Sequence, residues 1–301
     1  MNPHFIALRD ALTPLYGEGE ARAISFLVFE DAFGVSRTDI YADKVRQFSE
    51  DESTRLDNIC QQLLDGRPVQ QVLGYALFCG RRFKVTPDVL IPRPETEELV
   101  SWAVEKMRDS SQQNSAAPDG HSSAQMSSSI LDAGTGSGCI AISLKLAMEE
   151  ADVTAWDISR AALEVARENA RKLGADVKFV HHDMLLAPAS DAQPVYRLIV
   201  SNPPYICQRE AADMERNVLD FEPHTALFVP DDDPLRFYRA LCLQARQLLL
   251  PGGWLLVEAN RAYAEQTAQL MRDYGLQDVE VRMDAYGNPR MVGGKNLLSN
   301  K

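Results

Sequence analysis

Short apolar runs alternate with amphipathic segments through residues 129–201. Each of four runs has the length of a buried strand: 129–133, 153–158, 177–180 and 198–201. Residues 139–146 and 159–173 carry apolar side chains at helical spacing, and Gly174 is a typical C-terminal stop for the second helix. Strands that alternate with helices predict an α/β fold in which neighbouring strands are parallel.

The alternation of helices and strands continues towards the C-terminus, where it ends in a hairpin. It predicts a helix over 235–250, a turn at 251–253, a strand over 254–258 and a second helix over 261–274. The runs 278–283 and 289–293 then flank a turn at 286–288 and predict an antiparallel hairpin. A dinucleotide-binding dehydrogenase is not expected to close its sheet in this way.

The first part of the chain is organised separately. Residues 1–74 show helical periodicity and predict a small helical domain, and residues 75–92 predict a β-hairpin connector. The α/β domain is then expected over 93–301. Within it, residues 109–129 are rich in Ser and Gln and poor in apolar side chains, which predicts a flexible insertion before the first strand.

A glycine-rich turn follows the first predicted strand and consists of Gly134, Thr135, Gly136, Ser137 and Gly138. Glycines let a backbone approach a ligand closely, and the helix after the turn presents free N–H groups. The spacing differs from the G-x-G-x-x-G pattern of nicotinamide enzymes, which disfavours an oxidoreductase.

Acidic residues stand at the ends of the next two strands. Asp157 is placed to accept hydrogen bonds from ribose hydroxyls, Asp183 can accept from an adenine amino group, and Met184 can pack on the adenine ring. Each acid alone could equally be a helix cap or a solvated turn residue. Because the carboxyl ends of parallel strands meet at one crevice, these residues and the glycine turn are expected to bind one nucleoside cofactor together.

The fourth strand ends in Asn202-Pro203-Pro204-Tyr205. Proline fixes its own φ and restricts the residue before it, so this loop is stiff. The Asn202 oxygen and the Pro203 carbonyl can accept the two hydrogens of a planar NH2 group while Tyr205 covers its face. These three residues are the catalytic candidates, and Pro204 completes the substrate-binding loop. Asn202 is also expected to border the cofactor. Taken alone, the motif could be an ordinary proline-rich turn.

A glycine turn, a ribose acid, an adenine acid and an NH2-gripping loop together indicate a methyltransferase that uses S-adenosylmethionine. The chain resembles the HemK family over nearly its whole length. The resemblance is carried by four segments: 90–97 (Leu-Ile-Pro-Arg-Pro-Glu-Thr-Glu), 132–138, 202–205 and 221–227.

This resemblance implies a Rossmann-like class I S-adenosylmethionine-dependent methyltransferase sandwich with a small N-terminal helical domain that recognises the substrate. It implies methyl transfer to the glutamine side-chain nitrogen in the Gly-Gly-Gln motif of peptide chain release factors. It also implies that Arg93, Thr96 and Glu97 lie near the cofactor or substrate, with a first-turn helix acid as the alternative role for Glu97.

Net charge and the distribution of cysteines argue against several other kinds of function. Asn-Pro-Pro-Tyr also resembles the loop of DNA adenine amino-methyltransferases, but a net charge of −12 without a Lys/Arg-rich stretch argues against direct nucleic-acid binding. Five scattered cysteines, none in a C-x-x-C pair, indicate neither a metal site nor a disulfide framework. The scattered cysteines favour a reducing compartment, and no apolar run is long enough to span a bilayer, so a cytoplasmic enzyme without membrane contact is expected. A monomer is also expected.

Other functions remain open at this point. The acceptor could be a glutamine of a ribosomal protein or an amino group of a nucleic acid. A regulatory module that binds S-adenosylmethionine without catalysis is a third possibility, although the intact Asn-Pro-Pro-Tyr loop argues against lost activity.

Overall fold

The computed structural model describes residues 2–42, 48–115 and 128–297, with the backbone alone over 110–115. The chain divides into two compact units. The first comprises Met1–Ala76 and Met214–Glu222, and the second comprises Leu77–Asp213 and Pro223–Lys301.

Helices build the part of the first unit that lies before residue 76. Their bounds are α1 Pro3–Phe33, α2 Arg37–Tyr41, α3 Glu50–Leu64 and α4 Val69–Leu73. Ser49 and Glu52 exchange side-chain and backbone hydrogen bonds at the start of α3, an arrangement that satisfies two free N–H groups. Phe5 and Phe29 are fully buried at the centre of this unit.

Segment 214–222 belongs to the first unit and not to the α/β domain predicted over 93–301. Two contacts explain why this segment groups with the helices. The Gln71 side chain donates a hydrogen bond of 2.8 Å to the Phe221 carbonyl, and the Arg67 guanidinium lies 5.2 Å from the centre of the Phe221 ring. Gln71 and Arg67 lie far from Phe221 in the sequence, so no local sequence pattern predicts these contacts.

A β-hairpin follows the helices, as predicted, with strands β1 Tyr75–Phe78 and β2 Arg81–Lys84. The remaining elements in chain order are α5 Pro94–Ser115, β3 Ser129–Ala133, α6 Cys139–Ala147, β4 Asp152–Asp157, α7 Arg160–Leu173, β5 Lys178–His181, β6 Tyr196–Ser201, β7 Ile206–Cys207, a 3₁₀ turn Gln208–Asp213, α8 Arg216–Phe221, α9 His224–Leu227, β8 Phe228–Val229, α10 Arg236–Leu248, β9 Leu249–Glu258, α11 Ala264–Asp273, β10 Gln277–Met283 and β11 Pro289–Lys295.

The second unit is organised around a seven-stranded sheet with the order β10-β11-β9-β6-β3-β4-β5. Strands β9, β6, β3, β4 and β5 are parallel, and the predicted hairpin of β10 and β11 closes one edge in antiparallel pairing. The strand order reverses direction at β3 and β6. Such a reversal opens a crevice beyond the carboxyl ends of the strands, where α/β proteins bind ligands.

Apolar residues fill both faces of this sheet. Ile130, Leu198 and Leu256 contribute to one buried cluster with α5 and α6, while their neighbours Leu131 and Leu255 contribute to the other with α10 and α11. Because successive side chains of a strand point to opposite faces, a strand buried on both sides is predominantly apolar along its length. This explains the continuous apolar runs of the sequence.

Two expectations from the sequence need correction. Helix α5 extends to Ser115, into the predicted flexible insertion 109–129, and β3 already begins at Ser129. A scarcity of apolar side chains limits burial, but it does not prevent a helix from continuing through residues such as Gln that favour helical backbone. Residues 116–127 of that insertion lie outside the described residues.

The predicted turn at 251–253 is instead an irregular stretch inside β9, which runs from Leu249 to Glu258. The pairing with β6 shifts there, from Tyr196 opposite Leu249 to Leu198 opposite Trp254. Gly252 takes a φ of 80°, a conformation that glycine adopts readily. The strand therefore absorbs the Pro-Gly-Gly sequence as a bulge.

Gly293 on β11 provides a test of this packing. A Cβ atom at Gly293 would lie 2.5 Å from the Trp102 ring and 2.6 Å from the Leu256 side chain. We expect Gly293→Ala to lower the free energy of unfolding by about 1–3 kcal/mol through overpacking, measured by urea denaturation. Gly19→Ala is the matched control, because Gly19 lies in α1 with open space around it and should be neutral or stabilising. Equal stability of both variants would refute the tight packing at Gly293.

Candidate active site

The glycine turn after β3 folds back onto β4. The backbone N–H groups of Gly134 and Thr135 both donate to the Trp156 carbonyl at 2.8 Å. Gly134 has a φ of 79°, and a Cβ atom there would lie 2.6 Å from the Met184 side chain. A larger residue would be strained at this φ and would also displace the Met184 methyl group, so the turn favours glycine at this position.

Gly138 has a different role from the other residues of the turn. It precedes α6 with a φ of 82°, and a Cβ atom there would lie 2.9 Å from Ile142 and 3.1 Å from Ala166. Absence of a side chain lets α6 and α7 approach each other. Gly138 thus supports the turn by helix packing.

Asp157, at the end of β4, braces the turn. One carboxylate oxygen accepts the Gly136 N–H at 2.8 Å, and the other accepts the Ser159 N–H, also at 2.8 Å. Burial raises the pKa of Asp157, while these N–H donors act in the opposite direction. Each carboxylate oxygen keeps a further lone pair, so the group can accept two more hydrogen bonds from a ligand.

The end of β5 contributes His182, Asp183 and Met184. The His182 ring packs against Trp156 with a centroid distance of 4.2 Å, and burial lowers the His182 pKa. Asp183 accepts the Leu185 N–H at 2.9 Å, and Met184 is buried beneath Gly134. Met184 and the His182 ring offer a largely apolar surface, and the Asp183 carboxylate lies beside it.

The Asn202 loop is held by side chains from three other elements. The Ser201 hydroxyl donates to the Ala133 carbonyl at 2.6 Å, which joins the ends of β6 and β3. Asn202 donates from its side-chain nitrogen to the Thr96 hydroxyl at 3.1 Å, and Thr96 donates to Glu258 at 2.6 Å. The loop therefore rests on a buried polar network.

Tyr205 and Asn260 complete this network. The Tyr205 hydroxyl donates to the second oxygen of Glu258 at 3.1 Å, and the Asn260 side chain donates to the Tyr205 carbonyl at 3.2 Å. Burial raises the pKa of Glu258, against which the Thr96 and Tyr205 hydroxyls and the charge of Arg290 favour the carboxylate. Burial also raises the pKa of Tyr205, which keeps its phenol protonated.

A cavity of about 320 Å³ connects these features. Its walls include most of the sequence-derived candidates: Gly134, Thr135, Gly136, Ser137, Asp157, Asp183, Met184, Asn202 and Pro204. Gly138, Pro203 and Tyr205 do not line it. The turn after β3 and the loop after β6 thus face one shared space, which has the size of a small-molecule site.

Two family models match the chain, the Methyltransferase small domain over residues 121–220 and the PrmC N-terminal domain over residues 7–74. A release factor glutamine methyltransferase of Bacteroides thetaiotaomicron is 42% identical over 97% of this chain and 99% of its own length. The chain belongs to the release factor glutamine methyltransferase family.

Further comparisons agree with this assignment. A release factor glutamine methyltransferase of Bacillus subtilis is 40% identical over 97% of both chains. The crystal structure of the hMettl16 catalytic domain in complex with a MAT2A 3'UTR hairpin has a TM-score of 0.52 with 14% identity, and the match covers 84% of each chain. That likeness shows the methyltransferase fold alone.

The resemblance implied that Arg93, Thr96 and Glu97 lie near the cofactor or substrate, and the structure shows the position of each. Arg93 and Thr96 line the cavity, whereas Glu97 lies in the first turn of α5 and accepts the Cys79 N–H at 2.9 Å. Glu97 therefore takes its alternative role as a first-turn acid. Glu258 and Asn260 were not predicted as site residues. Glu258 could have been, because it is an acid at the end of an apolar strand, and the same feature led to the prediction of Asp157.

Among the described residues, no group of three or more His, Cys, Asp or Glu side chains could hold a metal ion. No helix in the same part of the chain has the length and apolar character needed to cross a membrane.

Asp132 lies buried at the end of β3, directly behind the glycine turn. One oxygen accepts the Thr135 hydroxyl at 2.6 Å and the Ala141 N–H at 3.1 Å, and the other has no partner within the described residues. Burial raises the pKa of Asp132 from 3.8 to about 7, although the two donors act to lower it. The turn is thus braced by a carboxyl group that is protonated below neutral pH.

This pKa gives stability a defined pH dependence. Between pH 3.8 and about 7 the folded chain holds a proton on Asp132 that the unfolded chain releases, so the Asp132 contribution to stability declines as pH rises through this window. We expect the unfolding free energy of Asp132→Asn, relative to the parent chain, to improve over the same interval and to level off above it. Urea denaturation at a series of pH values measures this difference, and a constant difference would contradict the raised pKa.

Proposed function

We propose that this chain transfers a methyl group from S-adenosylmethionine to the side-chain amide nitrogen of the glutamine in the Gly-Gly-Gln motif of peptide chain release factors. The observation that carries the proposal is the shared cavity: Asn202 borders the same space as the glycine turn 134–137. The family relationship to release factor glutamine methyltransferases supports the choice of acceptor.

The residues of the cavity fit this cofactor. The two Asp157 oxygens suit two ribose hydroxyls, and Asp183 beside Met184 suits an adenine amino group and ring. The turn 134–137 offers close backbone approach for the remainder of the molecule. When bound, the cofactor supplies a methyl group activated by a positively charged sulfur.

We propose that Asn202, which lines the cavity, and its neighbour Pro203, which does not, hold the acceptor, Pro203 through its backbone carbonyl. An amide nitrogen is a poor nucleophile because its lone pair is delocalised into the carbonyl, the same conjugation that gives a peptide bond a rotation barrier of ~18–20 kcal/mol. The Asn202 oxygen and the Pro203 carbonyl accept the two amide hydrogens, which fixes the NH2 group and increases electron density on nitrogen. Positioning and orientation then supply most of the acceleration. The amide nitrogen becomes positively charged as it takes the methyl group and releases one proton after the transfer, so no strong general base is needed.

We further propose that the helical domain 1–74 recognises the release factor and that the chain works as a cytoplasmic monomer. The match of the PrmC N-terminal domain to residues 7–74 supports a family-specific role for this part of the chain. A nucleic-acid acceptor is disfavoured by the net charge of −12.

The decisive experiment is incubation with labelled S-adenosylmethionine and purified release factor, followed by mass spectrometry of the Gly-Gly-Gln peptide. We expect a single added methyl group on glutamine, and none on a release factor whose motif glutamine is changed to Glu. Parallel reactions contain ribosomal protein and DNA. Label in either of these, with an unmodified release factor, would overturn the proposed acceptor.

Two variants test separately the substrate-binding and the cofactor-binding parts of the cavity. Asn202→Ala should lower kcat by about 100-fold and change cofactor affinity little, because it removes an acceptor that positions the substrate. Asp157→Ala should weaken cofactor binding by about 10- to 100-fold, as two hydrogen bonds to a charged group are lost. Single-turnover kinetics and isothermal titration measure the two effects. Unchanged turnover in the first variant, or unchanged affinity in the second, would remove the corresponding role.

A further inference from the structure

The amide of Asn202 has two orientations of almost identical shape, and only one of them turns its oxygen towards the cavity. A carboxamide presents an acceptor on one side and two donors on the other, so a half-turn would replace the acceptor by an NH2 group. The proposed function requires the acceptor. Some other part of the molecule must therefore distinguish the two orientations.

We propose that Thr96 and Glu258 are positioning residues that fix the Asn202 amide with its oxygen towards the substrate. This inference rests on the proposed function, since it explains how the acceptor for the glutamine NH2 group is kept in place. It assigns to both residues a role that they exert through Asn202.

The direction of the hydrogen bonds follows from the chemistry of the three groups. Burial raises the pKa of Glu258, but each of its two oxygens accepts a hydrogen bond from a hydroxyl group, from Thr96 at 2.6 Å and from Tyr205 at 3.1 Å, which is the arrangement that an ionised carboxylate requires. Such a carboxylate can only accept, so the Thr96 hydroxyl donates its single hydrogen to Glu258. The Thr96 oxygen can then only accept from Asn202, and the partner at 3.1 Å must be the Asn202 NH2 group. The Asn202 oxygen is left without a hydrogen bond among the described residues, available for a substrate.

Burial makes this selection effective. Thr96 is 2% exposed and Glu258 is 1% exposed, so water is excluded from the hydrogen bond between them, whereas Asn202 is half-buried at the cavity wall. A reversed amide would place the Asn202 oxygen against the buried Thr96 oxygen, whose only hydrogen is already donated, and two acceptors would face each other. An unsatisfied buried polar group is costly, which favours the observed orientation.

Tyr205 and Arg290 favour the ionised, accepting form of Glu258 and so oppose the burial that raises its pKa. The Tyr205 hydroxyl donates to the second oxygen of Glu258 at 3.1 Å, and the nearby charge of Arg290 favours the ionised carboxylate. Tyr205 therefore contributes to the Asn202 loop through Glu258, besides any contact of its ring with the substrate. The same logic favours Asn over Asp at position 202, since Asp would bring a second acceptor to Thr96.

The experiment compares Thr96→Val with Thr96→Ser, using the acceptor that the wild-type chain methylates. We expect Thr96→Val to lower kcat on the order of 10- to 100-fold, with cofactor affinity changed less than about threefold, because only the amide orientation is lost. Thr96→Ser retains the hydroxyl and should recover most of the activity. Equal losses in both variants would overturn the proposal.

Thr267→Val is the matched control. Thr267 is a buried residue of α11 whose hydroxyl has no hydrogen-bond partner among the described residues. The same exchange of hydroxyl for methyl should therefore leave kcat unchanged there. Thermal unfolding of all three variants shows whether they are folded, and a kcat loss in Thr267→Val equal to that in Thr96→Val would refute a specific role for Thr96.

A second measurement does not depend on catalysis. In protein labelled with ¹⁵N at asparagine, the Asn202 side-chain NH2 signal can be assigned by its loss in Asn202→Asp. Its hydrogen exchange should be slow in the wild type, at least several-fold faster in Thr96→Val, and slow in Thr96→Ser. Equal exchange in the wild type and Thr96→Val would overturn the proposal. Failure of the proposed acceptor would show instead as absence of release-factor methylation with the exchange pattern intact.

Discussion

The hydrogen bond from the Ser201 hydroxyl to the Ala133 carbonyl, 2.6 Å long, is the contact on which the site depends. It joins β3 and β6 one residue beyond the last paired position, Asp132 opposite Val200. Beyond this point the two chains separate, one into the glycine turn and the other into the Asn202 loop. The parallel register of two central strands thus determines that a cofactor-type turn and a substrate-type loop open onto one cavity.

Each branch is then stiffened by its own buried carboxyl group. Asp132 holds the Thr135 hydroxyl and the Ala141 N–H behind the glycine turn, while Glu258 holds the Thr96 and Tyr205 hydroxyls behind the Asn202 loop. Burial of these acids opposes folding, but their donors offset much of that cost. Rigid walls on both sides leave little freedom for a bound ligand, which suits a reaction accelerated mainly by orientation.

Much of this arrangement could be predicted from the sequence, because the information is local. Apolar runs predicted the strands, Gly174 ended a helix as expected, and most of the site residues predicted at strand ends do line the cavity. Glu258 and Asn260 were missed because their partners, Thr96 and Tyr205, lie 162 and 55 positions away in the chain. The course of β9 through Pro251-Gly252-Gly253 depended on pairing with β6 and overrode the local preference for a turn.

The strand β10 forms one edge of the large sheet and has a consequence for solubility. Its pairing with β11 is interrupted by two register shifts, Asp278 takes a φ of 50°, and Glu280 and Arg282 bring charge to the strand. An edge with unpaired N–H and C=O groups is a template for association with other chains, and bulges with charged residues are the features that discourage it. The hairpin that completes the sheet therefore also discourages the pairing of its edge strand with strands of other molecules.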